Sequence, residues 1–90
     1  MQIFDHDDNG YLAWLDANPH GFVLNTTHNQ QSLMLHMATC GTISIGPPHG
    51  DTWTAGQYIK VCAMTPQRLR QWAGRALPHC QARGRNCFAG

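Results

Sequence analysis

Six side chains of this chain have the chemistry to hold a soft divalent ion: His36 and Cys40 in LHMATC, Cys62 in KVC, and His79, Cys80 and Cys87 in PHCQARGRNC. Zinc takes four such ligands in a tetrahedron at about 2.0–2.3 Å. The order H-x3-C, a long gap, then C-x6-C differs from a standard finger. An extended chain would hold His36 and Cys40 roughly 13 Å apart. Sharing one ion therefore needs a bend at Thr39–Gly41. The expected ligand set is His36, Cys40, Cys80 and Cys87 around Zn2+, with Cys62 as the substitute. Free buried thiols and a disulfide are the alternatives. A closed four-ligand site is structural, and its binding would contribute on the order of 10 kcal/mol to folding.

A second metal pattern lies in DHDDNGYLAWLD, residues 5–16. Asp5, Asp7 and Asn9 match the first three ligand positions of a calcium loop, Gly10 matches its turn, and Asp16 stands where a bidentate Glu is usual. The fit fails in its setting. Met1 to Phe4 are too few for the helix that should precede the loop. Tyr11, Leu12, Trp14 and Leu15 read as a helix that starts inside it. Helix capping by Asp7, Asp8 or Asn9 explains the same residues, because their oxygens accept from the free N–H groups of a first turn.

Charge points to a partner. All five acids lie at or before Asp51, all six bases lie from Lys60 onward, and the net charge is +1. A dipolar surface follows, with its positive side free to meet an anion such as nucleic acid. Lys60, Arg68, Arg70, Arg75, Arg83 and Arg85 are the expected phosphate contacts, since the planar arginine fork suits phosphate. Tyr58 and Trp53 are the expected groups for stacking on a base. The alternative is a protein-interaction module, or an accessory subunit without DNA binding of its own. Enzyme chemistry is disfavoured. Cys40 with His36 lacks a third orienting group, there is no Glu, and Asp51 is the lone loop carboxylate.

Particular elements must position these groups. YLAWLDAN carries a helical stripe and must stop before Pro19. GFVLN, residues 21–25, reads as a strand, and LMLHMA, residues 33–38, as its hairpin partner. Residues 42–45 suggest another short strand. QYIKVCA, residues 57–63, alternates, with Ile59, Val61 and Ala63 toward the core and Tyr58, Lys60 and Cys62 on the other face. TPQRLRQWAGRAL reads as a helix with Thr65 as N-cap and Pro66 first. Leu69 with Trp72 or Ala73 forms its buried stripe, and Arg68 and Arg75 share a face.

The set YLAWLDANPHGFVLN, LMLHMATCGTIS and YIKVCAMTPQRLRQWA, over about residues 11–87, resembles a small bacterial His/Cys domain of zinc-binding type. Such domains occur near or within restriction and defence proteins, and the resemblance implies DNA recognition.

Ninety residues suit one domain, 1–90. No apolar run approaches the length of a membrane span. The acidic N-terminus lacks the pattern of a signal peptide. The expectation is a cytoplasmic α+β protein: a small antiparallel sheet, two helices and a zinc-tied irregular C-terminal tail.

Overall fold

Alternation and capping build the elements one by one. The computed structural model describes residues 1–40, 43 and 53–79. Cys80, Cys87, Arg83 and Arg85 lie outside these, as does the expected strand over 42–45 apart from Ile43. Four strands, β1 (Gln2–Phe4), β2 (Phe22–Thr27), β3 (Leu33–Met37) and β4 (Tyr58–Ala63), make one antiparallel sheet in the order β1-β4-β2-β3. Two helices, α1 (Asp8–Ala17) and α2 (Pro66–Ala73), complete the α+β fold.

β2 and β3 pair as the expected hairpin, with Leu24 opposite Leu35. β4 is central and pairs with both β2 and β1. β1 went unassigned in the sequence, because three residues carry too little alternation to read.

Register sorts the side chains into two faces. Ile3, Val61, Leu24 and Leu35 form one cross-strand row. They share their face with Ile59, Ala63 and Leu33, and with α2 through Leu69, Trp72 and Ala73. On the opposite face, Phe4, Lys60, Asn25 and Met34 form one row, and Gln2, Cys62, Val23 and His36 the next. α1 covers that side, packing Tyr11, Trp14 and Leu15 on Phe4, Val23 and Cys62. Leu12, expected in the stripe, faces out and is 41% exposed.

α1 starts where the supposed calcium loop would run. Asp7 Oδ1 accepts from Gly10 N at 2.9 Å, a capping bond. Asp8 already belongs to the helix. α2 begins at Thr65 and Pro66 as expected, but it is shorter than read. Gly74 adopts φ 72° and ends it, its N–H donating to Arg70 O at 2.8 Å. Glycine adopts that left-handed conformation without a Cβ penalty. Arg75 therefore lies beyond the helix and does not continue the Arg68 face.

Candidate functional site

Of the expected zinc ligands, Cys80 and Cys87 lie outside the described residues, and His36 and Cys40 lie within them. His36 is on β3, is 5% exposed, and is held neutral: burial, then the nearby Lys60, brings its pKa down to about 4. Cys40 is disulfide-bonded, whereas Cys62 is a free, buried thiol. A sulfur in a disulfide is not the thiolate that zinc requires. This corrects the expectation of Cys40 as a ligand in that state. Cys62, the expected substitute, lies on β4. Both Cys62 and His36 pair with Val23, from opposite sides. Two strand spacings, roughly 10 Å, separate their backbones. Burial also pushes the Cys62 thiol up to about 12.

Two of the expected nucleic-acid contacts are inside the protein. Lys60 is 2% exposed and Trp53 5%. Lys60 Nζ donates to Trp53 O at 2.7 Å and lies 5.7 Å from the centre of the Tyr11 ring. Burial brings the Lys60 pKa down to about 8, although Asp8 opposes the shift. The reason both residues are buried is a clamp at the start of α1. Asp8 accepts from Trp53 N at 2.9 Å, Thr54 N at 2.7 Å and Thr54 Oγ1 at 2.7 Å. Thr54 Oγ1 in turn accepts from Asp7 N at 2.7 Å. Burial pushes the Asp8 carboxyl up, but the bonds from Thr54 and Trp53 outweigh it and leave the group below its ordinary range. The acidic start of α1 thus holds a loop, and Lys60 holds the same loop from the sheet. Alternation correctly put Lys60 away from the aliphatic face, but it could not show that this face is also covered.

The remaining described cations are at the surface. Arg68 and Arg70 on α2, and Arg75 just after it, are exposed. None of the three makes an ion pair with another described residue. Tyr58 is half-buried at the start of β4.

A group missed in the sequence does converge. Asp5, His6 and His28 bring one ligand atom each to within 4.8 Å of one another, the arrangement of a group that could hold a metal ion. His6 Nδ1 lies 2.7 Å from Asp5 Oδ1, and His28 Nε2 lies 2.9 Å from Asp5 Oδ2. The hydrogen bond from His28, with help from His6, lowers the Asp5 pKa. Asp5 follows β1 and His28 follows β2, so pairing of both strands with β4 is what brings them together. One short stretch anchors both histidine backbones: His6 N donates to Thr54 O at 2.9 Å and His28 N to Gln57 O at 3.3 Å. His6 adopts φ 54°, an uncommon conformation for a residue with a Cβ. Two imidazoles and one carboxylate suit zinc or another borderline ion and leave coordination positions open. The sequence signal was slight, since Asp5 stood out only as the first position of the calcium pattern and neither histidine belongs to a spaced motif.

Next to this group lies a cavity of about 290 Å³. His28 lines it together with Thr27 at the end of β2, Asn29 of the β2–β3 turn, and Tyr58.

Comparison with protein-family models, curated proteins and solved structures finds no match for this chain. Among the described residues, no helix is long and apolar enough to cross a membrane.

Proposed function

We propose that the chain is a zinc-stabilised nucleic-acid-binding module. The α2 side contacts phosphates, and Asp5, His6 and His28 hold the zinc. The observation that carries this reading is the layering of charge. The sheet lies between α1, with Asp8 and Asp16, and α2, with Arg68 and Arg70. Lys60 meets Asp8 inside the fold, but Arg68 and Arg70 lie across the sheet from α1 and are not neutralised by its acids. Arg68, Arg70 and Arg75 remain exposed without an ionic partner among the described residues. A zinc ion at Asp5, His6 and His28 would tie the end of β1 to the end of β2 and so stabilise an edge strand of three residues.

Binding is measured by fluorescence anisotropy of labelled single-stranded and duplex oligonucleotides. Three phosphate contacts give a slope of log K against log salt of about −2 to −3. Arg68→Glu with Arg75→Glu is expected to abolish retention at low salt. Retention unchanged by that reversal overturns the charge-based reading and favours a protein partner. Elemental analysis tests the metal: one zinc per chain, lost in His28→Ala, is the expected result. Zinc retained by that variant would move the ion elsewhere. Disulfides persist in oxidising compartments and are reduced in the cytosol. Because Cys40 is disulfide-bonded, both assays use oxidised protein and are repeated with reductant.

A further inference from the structure

The cavity beside the metal group is lined by polar side chains and one aromatic ring. Thr27 Oγ1 donates to Asn29 Oδ1 at 2.7 Å, and Gln31 N donates to both of those oxygens at 3.2 Å. The turn that forms one wall is therefore ordered before anything enters. The side-chain amides of Gln31 and Gln57 and the hydroxyl of Ser32, which also line it, make no hydrogen bond among the described residues. Among the described residues, no Asp, Glu, Lys or Arg lines the cavity. What fits is a neutral, planar group with donors and acceptors on its edge. Carboxamides can meet either kind of edge atom. Tyr58 supplies an aromatic surface of the kind on which unpaired bases stack. At about 290 Å³ the cavity admits one ring system and excludes a duplex.

His28 belongs to the cavity and to the metal group alike. An ion held by three protein ligands keeps an open position that an anionic oxygen can take. We propose that this end of the sheet is a single-nucleotide subsite, with the base in the cavity beside Tyr58 and its phosphate on the ion held by Asp5, His6 and His28. The proposal rests on the metal assignment made above. It goes further by naming an unpaired nucleotide, free or within a single strand, as the ligand.

The test is calorimetric titration of zinc-loaded full-length protein with the four 5′-mononucleotides, and anisotropy with a single-stranded oligonucleotide and its duplex. At least one mononucleotide should bind, only with zinc present, and the single strand should bind more tightly than the duplex. Tyr58→Ala should weaken mononucleotide binding about tenfold or more, the usual scale of base–aromatic stacking. Gln57→Ala, a change at an exposed residue, should weaken it in the same direction and guards against misfolding of the first variant. No mononucleotide bound by zinc-loaded protein overturns the subsite. So does full binding by both variants. Single-strand binding lost on reversing Arg68 and Arg75 but untouched by Tyr58→Ala and Gln57→Ala overturns the subsite and leaves the arginine reading standing. Pocket-dependent mononucleotide binding together with arginine-independent strand binding does the reverse. Affinity equal for strand and mononucleotide marks the free nucleotide as the ligand; tighter strand binding marks the polymer.

Discussion

The two faces of the sheet are buried by different means. Between α2 and the sheet Leu69 of the helix packs on Leu24, Leu35, Ile59 and Val61, with no charged group among them. Under α1 the rows carry Lys60, Asn25, Cys62 and His36 beside Phe4 and Val23. An aliphatic face needs only shape and volume from its cover. A face with a buried amine and imidazole needs partners as well, because each unpaired polar group costs free energy. The partner of the amine comes from the loop at Trp53 and Thr54, fixed by Asp8. Asn25 Oδ1 is the exception, buried without a hydrogen-bond partner among the described residues. One face is therefore held by packing alone, and the other by packing plus a polar clamp.

Deletion at the centre of the aliphatic face should have the largest effect. Leu69 is fully buried, so Leu69→Ala should lower unfolding stability by about 2–5 kcal/mol in urea titrations. A loss below 1 kcal/mol would mean that α2 is not an essential cover.

Acid should act on the polar face. The His36 pKa is about 4 in the folded protein and near 6.5 when unfolded. Between these values the unfolded chain binds the extra proton, so stability falls as pH drops from about 6.5 to 4 and the effect levels off below. The full loss is roughly 3 kcal/mol. Thermal melts of the wild type and His36→Leu over that window check it, and equal slopes would count against the buried neutral imidazole. Lys60 works in the alkaline window. Its folded pKa near 8 lies below the unfolded value of about 10.4. Its contribution to stability should rise from pH 8 toward 10, opposed from about pH 8.5 upward by Cys62, whose thiol is raised to about 12; the difference between wild type and Lys60→Met isolates the Lys60 part.

Breaking the clamp should cost somewhat less. Asp8→Ala leaves Trp53 N, Thr54 N and the Thr54 hydroxyl without their acceptor. With part of the bonding taken over by water, the expected loss is about 2 kcal/mol. It should come with faster hydrogen exchange at Trp53 and Thr54, while Val61 and Leu24 stay protected. Uniform loss of protection would show that the two faces are not separable. The smallest effect is expected at Leu12 on the outer side of α1. Leu12→Ser should change stability by no more than about 0.5 kcal/mol.

The same contrast governs what was legible from sequence. The aliphatic face follows from period two in YIKVCA and from the hairpin pattern, so β2, β3, β4 and the start of α2 were readable. Leu12 misled because helical spacing alone does not decide which of two adjacent apolar residues points inward; Tyr11 won, placing its hydroxyl 2.7 Å from Ile43 O as donor. Gly74 ended α2 early, as glycine in a left-handed cap does, and took Arg75 off the helix. The Asp5, His6 and His28 group was beyond reach. Its members are joined by strand order, and a central β4 flanked by β1 and β2 has no local signal. Lys60 was read as a surface cation because lysine usually is one; its acceptor is a backbone carbonyl, which composition does not reveal.

Strand order also sets a sequence of events. The β2–β3 pairing closes only residues 28–32, whereas β1 reaches β4 across residues 5–57. Closing the longer loop loses more chain entropy, and such non-local contacts form slowly. The first strand in the chain is thus the natural last arrival at the sheet. Asp5 and His6 reach His28 only when it docks, so an ion that needs all three residues would report on completed assembly rather than on collapse.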